Sequence, residues 1–288
     1  MIQNSTSAKQ EWDIVIKSQT NLFDFKLNEL SHYRDLIWQF VRRDFVAQYK
    51  QTILGPVWHF IQPVFTTLMY LIVFSRIARL PTDGIEPVLF YLSGITIWTY
   101  FSTSLINTSN TFTGNAAIFG KVYFPRLIIP LSSVISNIVK FGIQFLLLFV
   151  AMLWYQFHGS PILFNTHWLY IPLLVILLAG IGLGCGIIIS SVTTKYRDFT
   201  VLLAFAIQLM MYITPVIYPL SFFNNSHYKW IIDLNPLTPV VEGFRYCLFG
   251  KGSVIAGSIM YSMGFMIVSL LTGTIMFNKV ERSFMDTV

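Results

Sequence analysis

Charge is scarce in this chain, and most of it sits where apolar runs begin or end. The densest case is residues 42–63, RRDFVAQYKQTILGPVWHFIQP, where Arg42, Arg43, Asp44 and Lys50 precede a Gly-Pro pair and an apolar run. Projected on a helix, Tyr33, Leu36, Ile37, Phe40, Val41 and Phe45 form one stripe, with Arg34, Asp35, Gln39, Arg42 and Arg43 mostly elsewhere. That pattern predicts an amphipathic helix over 33–50, lying on a bilayer surface with its aromatic side toward lipid. At about 100° per residue Asp44 falls within the stripe, so its carboxylate needs a cation. Two partners are open to it: a local one, Arg43 or Lys50, or a cation on another subunit.

Three further groups could do polar chemistry. Glu242 and Arg245 stand three apart in LNPLTPVVEGFRYCLFG, the spacing for a pair on one helix face. Lys140 lies inside an apolar run, which marks it either as functional or as a lysine whose head reaches back to the surface. Trp58, Gln62, Phe65, Thr66 and Met69 share one face of the first long apolar run, and Tyr91, Trp98, Thr99 and Ser102 share one face of the second. Flat C–H faces of sugar rings suit aromatic planes, and their hydroxyls suit Ser, Thr, Asn and Gln, so this combination fits a glycan path. Each aromatic taken singly also fits an interfacial belt or lipid-facing packing.

Other chemistries are disfavoured. Cys185 and Cys247 lie far apart with no Cys-x-x-Cys or Cys/His spacing, so neither a disulfide framework nor a metal site is expected. The six predicted spans contain no Asp or Glu, the groups that ion-coupled transporters use within the membrane. FGKGS around Lys251 departs from a phosphate-binding loop at its first glycine and at its final Ser/Thr position, so this chain is not expected to hydrolyse ATP.

The elements that must position these groups follow from composition. With 55% hydrophobic and 11% charged residues, the chain reads as an all-α integral membrane protein. Five stretches reach the roughly 20 apolar residues that a crossing needs: 57–80, 88–110, 134–157, 168–192 and 256–277. A shorter sixth runs from 200 to 220. Six crossings put both termini on one side, and thirteen Lys and Arg on that side against five on the other make it the cytosol. Residues 1–35 are polar, so no cleaved secretory signal is expected. Gly55-Pro56 should end the surface helix and start the first span. In AGIGLGCGIIIS, Gly180 with Gly184 and Gly182 with Gly186 permit close helix contact, within a subunit or between two. The stretch 215–252 is too short and too interrupted to cross, which leaves a re-entrant hairpin or an interfacial helix. The loop GNAAIFGKVYFPRLIIP is either a docking helix or a connector anchored by its aromatics.

Four ordered stretches, RRDFVAQYKQTILGPVWHFIQP, NAAIFGKVYFPRLIIPLSSVISN, TTKYRDF and NPLTPVVEGFRYCLFG, carry a likeness over nearly all the chain after residue 30. The chain resembles permease subunits of type 2 ATP-binding-cassette exporters, in the branch that moves O-antigen, capsular and teichoic-acid polysaccharides. The wording of YRDLIWQFVRRDF and KVYFPRLIIPLS is nearer to the O-antigen group. The resemblance implies a homodimer of six-span subunits with two ATPase subunits beneath, ATP and Mg being bound by the partner and no cofactor by this chain. Residues 1–30 exceed the family pattern and are read as a cytosolic extension; the resemblance implies a gate helix over 31–55 and a permease domain over 56–288. Within that domain it places a coupling loop at 113–130, with Phe119, Lys121, Tyr123 and Arg126, and an outer gate at 215–252 carrying Glu242 and Arg245. The cargo it implies is a polymer on undecaprenyl diphosphate, whose negative charge would meet Arg34, Arg42, Arg43 and Lys50 beside Asp44. A small lipid or drug exporter and a glycosyltransferase partner are the rival readings.

Overall fold

The computed structural model describes residues 32–50, 52–119, 124–160, 166–196, 198–224, 226–252 and 256–285. Among them there is no strand. Helix α1 is Arg34–Tyr49, within a residue or two of the predicted surface helix. Gly55 then takes φ +50, a left-handed conformation that only glycine adopts at little cost, and Pro56 opens a 3-10 turn, Gly55–Val57. This turn leads into α2, Trp58–Tyr70, which loosens into a π-helical stretch, Leu71–Ile77.

The second long helix, α3 (Pro87–Ser109), starts on a proline, and Asn110 separates it from α4, Thr111–Phe119. Next come α5 (Ile128–Phe157) and α6 (Ile171–Thr193), the latter preceded by a 3-10 turn, Thr166–Tyr170. The last third holds α7 (Phe199–Ile213), α8 (Lys229–Asp233), α9 (Thr238–Phe249) and α10 (Ala256–Met285). Five helical stretches are long and apolar enough to cross a membrane: Gly55–Ile77, Pro87–Ser109, Ile128–Phe157, Thr166–Thr193 and Ala256–Glu281. Helix α7 has 15 residues, short of that length.

Helix α3 is the axis. It packs on α5 and α6, with α2 and α7 at its flanks, while α10 lies along α6. Its hydroxyl-rich face is protein interior: Ser93, Thr96, Ser104 and Thr108 are buried. Ser93 and Thr96 donate back to the carbonyls of Phe90 and Leu92, and Asn137 of α5 donates to Ser104 Oγ at 3.2 Å. The two glycine pairs of α6 serve two different neighbours. Gly182 and Gly186 meet Phe101, Ser104 and Thr108 of α3, whereas Gly180 and Gly184 meet Met266, Ser269 and Leu270 of α10. Both contacts lie within one subunit, the first of the two readings that the spacing left open.

The bundle has a proximal end, carrying α1, α4 and the last turns of α10, and a distal end carrying the loops around residues 80–86, 158–160 and 214–252. At the proximal end Phe40, Phe112, Phe119, Phe124, Ile128, Ile129, Ile187 and Phe277 form a second core, apart from the main one. Here the sequence expectation needs correcting. The apolar stripe of α1 does not face lipid: Phe40 and Val41 are buried, Tyr33, Leu36 and Ile37 pack on the second core, and α1 lies against α5. An apolar stripe is equally served by lipid and by protein, and the start of α5 supplied the protein.

Candidate functional site

Polar groups gather at both ends of the bundle. At the distal end the chain leaves α7 in extended conformation at Thr214, and Pro215 prevents it from resuming the helix. The carbonyls of Pro215 and Val216 therefore need donors from elsewhere. Arg245 of α9 supplies them, Nη1 to Pro215 O at 2.5 Å and Nη2 to Val216 O at 2.6 Å. The same Nη1 reaches Glu242 Oε1 at 3.3 Å, one helical turn back, the pair that the spacing predicted. The guanidinium lies 3.7 Å from the centroid of the Phe90 ring, and Arg245 is 1% exposed. Only arginine offers this planar fork of donors together with a face that stacks on an aromatic ring.

Helix α3 is shaped to admit this arrangement. A Cβ on Gly94 would lie 2.7 Å from Val216 O and 2.9 Å from Arg245 Nη2, so only glycine lets the two segments approach. Glu242 also accepts from the Leu220 N–H at 3.4 Å. Burial raises the Glu242 carboxyl above the usual range and Arg245 opposes the shift; burial draws the guanidinium down to about 10, still charged at neutral pH. Around this centre Asn235 donates to Thr214 Oγ1 at 2.8 Å, Ser221 donates to Asp83 at 2.7 Å and the Lys251 ammonium donates to Gly84 O. The segment after α7, the short helices and the loop before α3 are thus tied through one buried arginine and its rim.

At the proximal end Arg126 is buried as well. Its guanidinium is 5.0 Å from the Phe119 ring centroid, and it reaches Glu281 of α10 through the backbone carbonyl at 3.5 Å and the carboxylate at 3.7 Å. Burial lowers Arg126 and the Glu281 charge pushes it back up. Phe119, expected to act in coupling, is 6% exposed in the same core. Lys121 and Tyr123 lie outside the described residues.

The charges of α1 separate by environment. Asp44 takes the local partner: Arg43 donates to Oδ1 through Nε at 2.9 Å and Nη2 at 2.7 Å, and its guanidinium sits 4.5 Å from the Phe40 ring centroid. Arg34 is exposed and loosely placed beside Asp35 at 3.8 Å, and Arg42 and Lys50 are exposed. The residues expected to share a sugar-facing strip divide too. Trp58, Gln62 and Phe65 are exposed on α2. Tyr91 and Trp98 are not: Tyr91 is enclosed by Tyr70, Phe74 and Phe90, and Trp98 is packed on Phe101. Ser102 is half-buried and donates to Thr99 O at 3.3 Å. The second half of the expected strip is core, because α3 is enclosed by neighbours that sequence periodicity cannot name.

Sequence reasoning found Glu242, Arg245 and Arg126 but missed Phe90, Gly94 and the Pro215 carbonyl as partners of Arg245. Of these only Pro215, a helix breaker after an apolar helix, carried a local signal. Among the described residues no three His, Cys, Asp or Glu gather into a group able to hold a metal.

A family model described as ABC-2 type transporter matches residues 35–249. Two O-antigen export system permease proteins RfbA from Klebsiella pneumoniae are each 29% identical to the chain, over 261 and 262 residues, covering 89% of it and 96% of each relative. One of the same description from Myxococcus xanthus is 24% identical over 264 residues, covering 91% of the chain and 98% of the relative.

Proposed function

The chain belongs to the ABC-2 type transporter family, and from that premise we propose that it is the permease subunit of an ATP-driven exporter of lipid-linked, O-antigen-type polysaccharide. The observation that carries the reading is alignment across about nine-tenths of the chain with permeases described as O-antigen exporters. The cargo is a polymer on undecaprenyl diphosphate, handed from the cytosolic to the outer face of the bacterial inner membrane.

In this reading the proximal end faces the cytosol, with both termini, and α7 is completed by the chain after it into a sixth crossing. Two copies of the chain assemble with two ATPase subunits, which hold ATP and Mg. The exposed row of Trp58, Gln62 and Phe65 on α2 lines the glycan path. Helix α1 is the gate at the substrate entrance, and its rigid junction at Gly55-Pro56 transmits movement of the ATPase to α2. The stretch around α4 is the coupling element, and Arg126 with Glu281 ties it to α10. The segment 215–252 is a re-entrant outer gate held by Arg245.

The experiment is a clean deletion with complementation. Loss of surface polymer, with polymer on its lipid carrier accumulating inside and found by mass spectrometry, supports the reading. Normal surface polymer, or an accumulating small molecule instead, removes it. ATP hydrolysis by the purified permease alone would do the same for the assignment of catalysis to a partner.

A further inference from the structure

Three segments far apart in the chain enclose a cleft at the distal end. Gly84, Glu86 and Leu89 line it from the start of α3, Ser160 from just past the end of α5, and Phe249 with Lys251 from the end of α9. Gly84 takes φ +73, and a Cβ there would stand 3.2 Å from Lys251 Nζ, so glycine both makes the turn and lets the lysine head lie across it. The Lys251 ammonium donates to Gly84 O, and Ser160 Oγ donates to Glu86 Oε1 at 3.2 Å.

Opposite charges thus line one cleft without joining. Among the described residues no ion pair within 4.0 Å includes Glu86 or Lys251. An ammonium has three N–H and a carboxylate two oxygens; Gly84 O engages one N–H of Lys251 and Ser160 one oxygen of Glu86, so both charges can still bind a ligand.

Charge, size and depth select that ligand. A lone cation would meet the ammonium and a lone anion the carboxylate, whereas a molecule carrying both charges answers both. The cleft holds about 60 Å³. A water takes about 10–15 Å³ of such room, so about four or five non-hydrogen atoms fit, enough for an aminoethyl phosphate arm and too few for a sugar ring. Leu89 is buried and Phe249 half-buried, and they give the cleft an apolar wall for the carbons of the arm. Glu86 and Ser160 stand where two helices long enough to cross a membrane end, Pro87–Ser109 and Ile128–Phe157. In the last turn of α5 Trp154 is 62% exposed, the kind of aromatic that marks the headgroup level of a bilayer. A cleft at that level meets lipid headgroups.

We propose that the cleft between Glu86 and Lys251 seats the headgroup of phosphatidylethanolamine from the distal leaflet, its ammonium on Glu86 and its phosphate on Lys251. So seated, the headgroup links the end of α9 to the start of α3, across the rim that Arg245 holds from inside. The inference goes beyond the proposed export function: it requires that the long helices cross a bilayer and holds whatever the cargo.

The test is lipid binding to the full-length permease in detergent, read by native mass spectrometry and thermal shift. The probes are phosphatidylethanolamine, phosphatidylcholine and phosphatidylglycerol with the same acyl chains, and soluble phosphoethanolamine. Phosphatidylethanolamine is expected to bind about fivefold or more tighter than either other lipid, because choline cannot donate a hydrogen bond and glycerol carries no positive charge. Lys251→Met should weaken it by about tenfold, Glu86→Gln should bring it down to the level of phosphatidylglycerol, and Lys229→Gln, at the same end but outside the cleft, should leave it unchanged. Phosphatidylglycerol or phosphatidylcholine binding as tightly as phosphatidylethanolamine overturns the two-charge recognition. Phosphoethanolamine binding as tightly as the lipid overturns the assignment to the membrane. Wild-type affinity in both cleft variants overturns the site and leaves the export reading untouched. Should Lys251→Met fail to assemble, Glu86→Gln decides, since it keeps the Ser160 hydrogen bond; a lipid preference unchanged in that variant overturns the site.

Discussion

Replacing Arg245 with methionine removes three donated hydrogen bonds from a place that water does not reach. The carbonyls of Pro215 and Val216 lose their donors, at about 1–3 kcal/mol for each buried orphan. Glu242, 4% exposed, keeps the Leu220 N–H at 3.4 Å as its remaining partner. Breaking a buried pair from one side costs about 3–5 kcal/mol, because the other charge stays behind. These losses share groups and do not add, so the expected destabilisation is about 4 kcal/mol. Arg245→Lys keeps the charge but not the fork or the flat contact on Phe90, and should cost about 2 kcal/mol. Adding Glu242→Gln to Arg245→Met removes the stranded carboxylate and should recover about 2 kcal/mol, leaving the two carbonyls as the residual loss. Denaturant unfolding of full-length permease in a fixed detergent, as a double-mutant cycle, measures these losses. An Arg245→Met variant within about 1 kcal/mol of wild type, or a double variant as unstable as the two single losses summed, would refute the reasoning.

Gly94→Ala should disturb the same latch from the α3 side, since its Cβ would meet backbone at 2.7 Å; a loss of about 1–3 kcal/mol is expected in the same unfolding assay. Arg126→Met should destabilise by about 2 kcal/mol through the lost link to Glu281, and limited proteolysis should show the proximal end of α10 opening before the rest. Because burial raises the folded-state pKa of Glu242 above its ordinary 4.5, the native state binds that proton first. Its contribution to stability is therefore complete below 4.5 and is lost as pH rises through the raised value; Glu242→Gln should flatten that limb of the stability–pH curve. Trp58→Ala with Phe65→Ala, both on the exposed face of α2, should leave unfolding within about 0.5 kcal/mol of wild type while lowering surface polymer in a complemented deletion strain.

What could be read from the residues alone was whatever local order carries. The apolar runs, their lengths, the break at Gly55-Pro56 and the three-residue step from Glu242 to Arg245 depend on neighbours a few positions away, and each stands in the structure close to where the sequence put it. Side-chain periodicity also marked which faces of α1, α2 and α3 were distinctive. It could not say what each face touches, because an apolar or hydroxyl-bearing stripe looks the same whether lipid, water or another helix covers it. Tertiary packing made that decision: it enclosed Tyr91 and Trp98, left Trp58 and Phe65 outside, and turned the two glycine pairs of α6 toward different helices. Packing also gave Arg245 two carbonyls some thirty residues away. Those partners are distant along the chain and meet only when the bundle closes, so no window of sequence contains them.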